Sequence, residues 1–234
     1  MELKIIYDNR GTSNEHLAIS WGFSCQIRGE VNILFDTGGN ASILLQNMSR
    51  LDISPEDFEA VIISHNHYDH TSGLWGFLEK NPNVEVYILG VFPKRLKDRI
   101  KNYGSTLAEV DKFCEIFPDV YTTGKLGQII PEQSLILKRP QGLVVITGCA
   151  HPGIVDILQE VGRDISEEIF LVVGGFHLMG QPEGVIKSII HEFKELGVER
   201  VAPTHCTGDK AMKLFKEEYK ENFMEVGVGT SIKV

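Results

Sequence analysis

Five apolar runs of strand length in this chain each end in a loop that carries a histidine or an aspartate. The residues at these ends are Asp36 after "NILF", His65 after "AVIIS", His151 after "LVVIT", His177 after "IFLVV" and His205 after "VERVAPT". Continuous apolar runs of this length indicate buried strands. Loops at the ends of such strands are where a scaffold carries functional side chains. The pattern therefore predicts a β-rich scaffold with its chemistry at the strand ends.

The order of the predicted elements indicates the fold class. The first 35 residues have the composition of an antiparallel sheet, with strands in "LKIIY", "LAISWGFSCQIR" and "VNILF". From residue 134 onward, strands alternate with amphipathic helices. This layout favours an α/β sandwich of two sheets covered by helices on both outer faces, in one domain that spans residues 1–234. Residues 91–124 contain a basic helix and a second amphipathic piece, and they form either an inserted lid or part of the core layer.

Composition narrows the classes of partner. The chain has 234 residues, of which 42% are hydrophobic and 24% charged, as is usual for a globular protein with a core. The net charge of −9 argues against nucleic acid or an anionic membrane as a partner, because no basic excess is present to meet phosphates. No apolar run has the length of a transmembrane helix, and the N-terminus lacks the character of a secretory signal. We therefore expect a cytoplasmic protein.

The segment "SHNHYDH" concentrates side chains that bind metals. It places His65, His67, Asp69 and His70 within six residues. His65 and His67 are two residues apart, so both imidazoles project from the same side of an extended chain. Imidazole nitrogen and carboxylate oxygen suit Zn²⁺, Mn²⁺ and Fe²⁺. Four such ligands from so short a segment exceed what one tetrahedral site easily accepts, which predicts two neighbouring ions, with His65 and His67 on one and Asp69 and His70 on the other.

Other parts of the chain must complete two such sites. His151 and His205 are the candidates for the missing ligands, and His177 occupies a third loop of the same kind. Asp36 is either a turn residue or the acceptor of a hydrogen bond from a ligating imidazole, and we favour the second role because such a bond fixes the imidazole's tautomer. His16 and His191 are expected to be surface or structural residues.

The four cysteines show no CxxC pair and no spacing typical of a disulfide framework. They are Cys25, Cys114, Cys149 and Cys206, and we expect all of them to be reduced thiols. Two of them stand close to histidines, Cys149 in "GCAH" and Cys206 in "THC".

Taken in order, the motifs resemble those of a known family. The strings "LFDTG", "SHNHYDHTSGL", "TGCAHPGI", "VVGGFHL" and "APTHCTG" are similar to those of the metallo-β-lactamase superfamily, whose signature is H-x-H-x-D-H. More narrowly, they resemble the branch called metal-dependent hydrolases of β-lactamase superfamily II, which includes dihydropterin-methyl-ribofuranosylaminobenzene-phosphate synthase. The matching motifs run from Asp36 to residue 208.

The resemblance implies a four-layer αββα sandwich that holds two divalent ions, Zn²⁺ in the first place and Mn²⁺ or Fe²⁺ as alternatives. Its pattern assigns one ion to His65, His67 and His151, and the second to Asp69, His70 and His205. The chain departs from the pattern at one point. Many members have an aspartate that bridges both ions, whereas the corresponding loops here carry Cys149 and His177. Either of these residues is a candidate to replace the bridging aspartate.

The function expected from these features is that of a dinuclear metal-dependent hydrolase. Its substrate would be a small molecule that bears a phosphate or a carboxylate, attacked by a metal-activated water. Asp69 would bind one ion and orient the water, and His177, where it is not a ligand, would donate to a substrate phosphate or act as general acid. The alternatives are a pterin-related synthase on the same metals and a non-catalytic sensor of metal or ligand. The sequence leaves the oligomeric state open.

Overall fold

Two β-sheets form in this chain, one in each of two units. The structure, a computed structural model, describes residues 1–11 and 16–234. The first unit contains Met1–Asp111 and Gly227–Val234, and the second contains Lys112–Val226. The mixed α/β class with two sheets and helices, expected from the sequence, is confirmed. The assignment of residues 1–234 to a single domain stays a prediction.

The first unit contains a seven-stranded sheet with the strand order β13-β1-β2-β3-β4-β5-β6. Pairing is antiparallel from β13 to β3 and parallel from β3 to β6. Its strands are β1 (Glu2–Tyr7), β2 (Ser24–Arg28), β3 (Asn32–Phe35), β4 (Ala60–Ile62), β5 (Glu85–Ile88), β6 (Thr106–Glu109) and β13 (Ser231–Lys233). Its helices are α1 (Ala41–Arg50), α2 (Tyr68–Thr71), α3 (Leu74–Lys80) and α4 (Lys94–Asn102).

The core of the first unit forms where the helices meet the parallel strands. Leu34, Val61 and Val86, one from each of β3, β4 and β5, are fully buried. Leu44 of α1 and Phe77 of α3 belong to the same cluster. Strands that read as continuous apolar runs are typical of parallel sheets, which are covered by their crossover helices. This packing fixes the positions at which β3 and β4 end.

The second unit contains a six-stranded sheet with the strand order β12-β11-β10-β9-β8-β7. The strands β10, β11 and β12 pair in parallel, and the others pair antiparallel. The strands are β7 (Lys112–Phe117), β8 (Val120–Gly124), β9 (Leu135–Arg139), β10 (Gly142–Thr147), β11 (Ile169–Gly175) and β12 (Arg200–Thr204). The helices are α5 (Ile154–Asp164), α6 (Glu183–Glu195) and α7 (Asp209–Tyr219).

An aromatic cluster occupies the core of the second unit. Phe176 packs against Phe193 and Phe215 with ring centroids 5.5 Å apart in both pairs, and Phe193 and Phe215 are 5.3 Å apart. Separations of this size are those at which aromatic pairs attract each other. Because Phe176 directly precedes His177, the cluster anchors the loop that follows β11.

One predicted strand is shorter than expected, and one segment that the sequence left open is now assigned. The strand expected in "LAISWGFSCQIR" begins only at Ser24, because the backbone of Ala18 is bonded to the buried Asn47 side chain instead of to a neighbouring strand. Within residues 91–124, β6, β7 and β8 belong to the two sheets, so these strands are part of the sheet layers and not of an inserted lid.

No helix in residues 1–11 and 16–234 combines the length and the apolar character needed to cross a membrane. The expected location in the cytoplasm stays a prediction.

Candidate metal centre

The side chains of the H-x-H-x-D-H motif lie at the carboxyl ends of β3 and β4. These two strands are parallel neighbours, with Phe35 paired to Ile62, so their following residues emerge at the same edge of the sheet. Asp36 follows β3 directly, and the motif follows β4. Binding sites in open α/β sheets commonly lie outside the carboxyl ends of the strands.

Asp36 is the acceptor of three hydrogen bonds in the interior of the first unit. Its Oδ1 accepts from the Ser64 backbone N–H at 2.7 Å, and its Oδ2 accepts from the Ser64 hydroxyl at 2.7 Å. His70 Nδ1 lies 2.6 Å from the same Oδ2. Because a carboxylate can only accept, a neutral His70 carries its proton on Nδ1 and keeps a lone pair on Nε2. This is the arrangement in which a carboxylate orients a metal-ligating imidazole.

Ser64 determines the tautomer of His65 in a similar way. The single hydroxyl hydrogen of Ser64 is donated to Asp36, so Ser64 Oγ accepts from His65 Nδ1 at 2.9 Å. His65 therefore also keeps its lone pair on Nε2, and that atom lies 3.1 Å from His67 Nδ1. Two nitrogens bound to one tetrahedral zinc at about 2.0–2.1 Å would lie about 3.3–3.4 Å apart. The observed contact is a hydrogen bond in which His67 Nδ1 donates to that lone pair, and its length is also close to the separation that a shared ion requires.

Asp69 and His70 approach each other in a similar way. His70 Nε2 lies 3.6 Å from Asp69 Oδ2, and the rings of His65 and His70 have centroids 4.2 Å apart. The backbone holds this geometry, since Thr37 donates to the His70 carbonyl through both its N–H at 2.9 Å and its hydroxyl at 2.7 Å. The first unit thus brings the four motif side chains into one cluster around Asp36.

In the second unit, three neighbouring parallel strands present their loops at one edge of the sheet. Cys149 and His151 follow β10, and His177 follows β11. His205 and Cys206 follow β12, in the single 3-10 turn His205–Thr207. The rings of His151 and His177 have centroids 4.3 Å apart.

Backbone strain marks the same loops in both units. Among residues 1–11 and 16–234, seven non-glycine residues have a positive φ, and four of them are Asp36, Ala150, His177 and His205. Such conformations cost of order 1–3 kcal/mol each and persist where the surrounding structure imposes them, most often at functional sites. Their concentration at the strand ends supports a functional role for these loops.

Glu132 is a residue of this site that the sequence does not reveal. It is almost fully buried, and its carboxylate accepts from three consecutive backbone amides. Its Oε1 accepts from Cys149 at 2.8 Å and Ala150 at 2.9 Å, and its Oε2 accepts from His151 at 2.9 Å. Glu132 therefore shapes the "GCAH" loop through its backbone. No motif or periodicity in the sequence marks this residue.

A thiol and an imidazole influence each other's protonation in the second unit. Hydrogen bonds from Cys149 and, to a smaller extent, from His177 hold the pKa of the Cys206 thiol well below its usual value, against the effect of burial. The bond to Cys206 in turn raises the pKa of His177, although burial opposes this. Each shift favours the charged form of its own group, the thiolate of Cys206 and the imidazolium of His177.

The structure also shows where the three remaining residues named from the sequence lie. The hydrogen bond expected from an imidazole to Asp36 is present, and its donor is His70. His16 and His191 are both exposed, and His191 lies on α6. That the motif residues bind metal stays a prediction.

Asp36→Asn tests the role assigned to the buried carboxylate. The amide nitrogen of asparagine donates where Oδ2 accepts, which forces His70 toward the tautomer with its proton on Nε2 and so removes the lone pair there. We expect metal affinity to fall about 10–100-fold and the free energy of unfolding to fall by about 1–3 kcal/mol, measured by chelator competition and thermal denaturation. The control is Asp52→Asn, at an exposed residue with a similar positive φ. Unchanged metal affinity in Asp36→Asn would contradict this role.

Glu132→Gln tests the carboxylate beneath the "GCAH" loop. In the wild type, each of three backbone N–H groups donates to a carboxylate oxygen. In the variant, the glutamine amide nitrogen replaces one of these oxygens, so at least one buried N–H loses its acceptor. We expect the free energy of unfolding to fall by about 2–3 kcal/mol in a denaturant titration. The control is Glu195→Gln on the exposed side of α6, for which a change within about 0.5 kcal/mol is expected. Equal stability of the two variants would show that Glu132 does not hold the loop.

Comparison with known proteins agrees with this architecture. The model of the metallo-beta-lactamase superfamily matches residues 26–151, which is more than half of the chain. A 7,8-dihydropterin-6-methyl-4-(beta-D-ribofuranosyl)-aminobenzene-5'-phosphate synthase of Methanocaldococcus jannaschii is 30% identical, over 86% of this chain and 84% of that protein. An uncharacterised protein of the same organism is 31% identical, over 98% of this chain and 99% of its own length.

Among solved structures, a metal-dependent hydrolase of the beta-lactamase superfamily is 29% identical to this chain. The superposition has a TM-score of 0.85 and covers 100% of this chain and 99% of the other. With the family model and the relatives above, this similarity extends over all the motifs described at the strand ends. The chain belongs to the metallo-β-lactamase superfamily.

Proposed function

We propose that the protein is a metal-dependent hydrolase that uses two divalent ions. The observation that carries this proposal is the buried hydrogen-bond relay of the first unit. Asp36 bonds to His70 directly and to His65 through Ser64, so that both imidazoles keep a lone pair on Nε2. A loop that only carried polar side chains would not require both imidazoles to have the proton on Nδ1 and the lone pair on Nε2.

The superfamily pattern suggests which residues hold each ion. We assign His65, His67 and His151 to one ion, and Asp69, His70 and His205 to the other. Nitrogen and carboxylate donors of this kind fit Zn²⁺, and they also accept Mn²⁺ or Fe²⁺. The separations within the first unit support the assignment, with 3.1 Å between His65 Nε2 and His67 Nδ1 and 3.6 Å between His70 Nε2 and Asp69 Oδ2.

Bound ions of this type lower the pKa of water and stabilise negative charge that develops on a substrate oxygen. The Asp69 carboxylate, which is nearly buried beside His70, can accept a hydrogen bond from the attacking water and orient it. His177 is exposed and lines a cavity of about 380 Å³ in the second unit, so its imidazole can donate to an oxygen of the substrate. We propose these as the two catalytic residues.

The same cavity supports a small molecule as the substrate. Its volume of about 380 Å³ lies in the range typical of small-molecule sites. Its walls combine His151 and His177 with side chains of α5 and α6, among them Gln159 and Ile189. We propose a phosphate- or carboxylate-bearing compound, because an anionic group would complement divalent ions and the His177 donor.

A synthase activity is the second candidate, and the relative from Methanocaldococcus jannaschii favours it. That protein is named as a synthase of a dihydropterin-containing phosphate and is 30% identical over most of both chains. The metal assignment and the positions of Asp69 and His177 would be the same for this reaction. What differs is the acceptor, which is a second organic substrate in place of water.

Metal content and turnover test the hydrolase directly. Purified protein is expected to contain stoichiometric zinc, manganese or iron by elemental analysis and to hydrolyse at least one member of a panel of phosphoesters, lactones and thioesters. His67→Ala should lose metal and at least 100-fold in turnover together, because it removes a ligand. The matched control His191→Ala, on the exposed face of α6, should retain both. Full turnover in His67→Ala would contradict the site.

The two candidate reactions are separated by products. Incubation with a dihydropterin pyrophosphate and an aminobenzene ribofuranosyl phosphate should give no adduct by mass spectrometry if the protein is a hydrolase. An adduct that forms in the wild type and not in His67→Ala would replace the hydrolase by the synthase, with the metal assignment intact.

A further inference from the structure

We propose that the second unit contains a metal site of its own, in which Cys149, His177 and Cys206 bind a soft divalent cation such as Zn²⁺. None of these residues belongs to the H-x-H-x-D-H motif or to the two ligand sets assigned above. The site would bind an ion in addition to those of the proposed hydrolase centre and adjacent to them, because a Cys149 ligand atom also lies within 4.8 Å of ligand atoms of His151 and His205.

The three donors come from three adjacent strands of one sheet. Cys149 follows β10, His177 follows β11 and Cys206 follows β12, and these strands pair in parallel. One ligand atom from each residue lies within 4.8 Å of the other two. Ligands on a common tetrahedral zinc, with bonds of about 2.3 Å to sulfur and about 2.0–2.1 Å to nitrogen, are separated by about 3.5–3.8 Å. The separations in the structure exceed that range by at most about 1.3 Å.

The backbone is shaped to bring the two sulfur atoms together. A Cβ atom at Gly175 would lie 2.6 Å from Cys206 Sγ and 2.5 Å from Gly148 O, so only glycine allows the end of β11 to pass between the two loops. Gly175 N–H donates to the Gly148 carbonyl at 3.2 Å, and Met179 N–H donates to the Cys206 carbonyl at 3.2 Å. These bonds tie the loop of His177 to the loops of both cysteines.

The composition of the cluster favours a particular class of metal. Two thiolates and one imidazole form a soft donor set, which selects zinc and related ions over magnesium or calcium. Cys149 and Cys206 are only 4% and 5% exposed, whereas His177 is exposed and lines the cavity between α5 and α6. Three protein ligands leave a fourth position for water or substrate, as in catalytic zinc sites with two cysteines and one histidine. The open position would face the cavity.

This site differs from the alternative in which Cys149 alone replaces a bridging aspartate. A bridging role requires one sulfur, whereas the proposed site requires two. An imidazole has two ring nitrogens, so His177 can bind the ion through one and still donate to a substrate through the other. Sulfur ligation is thus the property that distinguishes the two arrangements.

Cobalt substitution provides the test on the full-length chain. Addition of Co²⁺ to the metal-free protein should produce an intense sulfur-to-cobalt charge-transfer band in the near ultraviolet, because histidine and carboxylate ligands give none. Cys149→Ser and Cys206→Ser should each reduce the band at least several-fold. Cys25→Ser, which changes a fully buried cysteine on β2, is the control and should retain it. The band should also persist in His67→Ala, because the substituted residue lies in the first unit.

Two results of the cobalt experiment would overturn the proposal. Persistence of the full band in Cys206→Ser would show that at most Cys149 is a ligand, and loss of the band in His67→Ala would show that the sulfur belongs to the motif's own site. An independent measurement does not depend on the folding of any variant. With one equivalent of Cd²⁺ bound to the wild type, X-ray absorption should show two sulfur neighbours, and one or none would contradict the site.

Discussion

The carboxylate of Asp36 is the group on which the geometry of the first unit's cluster depends. Its two oxygens accept from the Ser64 amide, the Ser64 hydroxyl and His70 Nδ1, all within 2.7 Å. A buried charge is tolerable only with such partners, since removing them leaves a carboxylate without compensation. The cluster therefore forms as a unit. If the end of β3 shifted relative to the end of β4, all three bonds would be lost together, and with them the orientation of two imidazoles.

The second unit uses a different device to fix its loop. Glu132 accepts from the backbone amides of Cys149, Ala150 and His151, so it holds the course of the chain and not the rotamer of a ligand. Ala150 has a positive φ of 62° within this loop. Three hydrogen bonds from backbone amides to one carboxylate offset the cost of that conformation. In both units a buried acidic side chain organises the polar end of parallel strands.

Local signals in the sequence account for what could be predicted. The H-x-H-x-D-H ligands are close in sequence, and β3 and β4 are apolar runs of ordinary length, so both the cluster and the role of Asp36 can be inferred without a structure. Glu132 escapes prediction because its partners lie 17–19 residues away and are backbone amides, which have no sequence signature. The strand expected before Ser24 was wrong because propensity does not reveal that Asn47 takes the backbone bonds of Ala18. The proximity of Cys206 to Cys149 depends on the order of β10, β11 and β12 in the sheet, which the spacing of the cysteines in the sequence does not reveal.

The relay through Asp36 sets the tautomers of His65 and His70 before any metal binds. The most direct measurement is a long-range ¹⁵N–¹H NMR correlation of the imidazole nitrogens in metal-free protein near neutral pH, with signals assigned from single-histidine variants. We predict that both residues carry their proton on Nδ1 and that Nε2 is unprotonated. The tautomer with the proton on Nε2 at both positions, which a free histidine side chain favours, would contradict it.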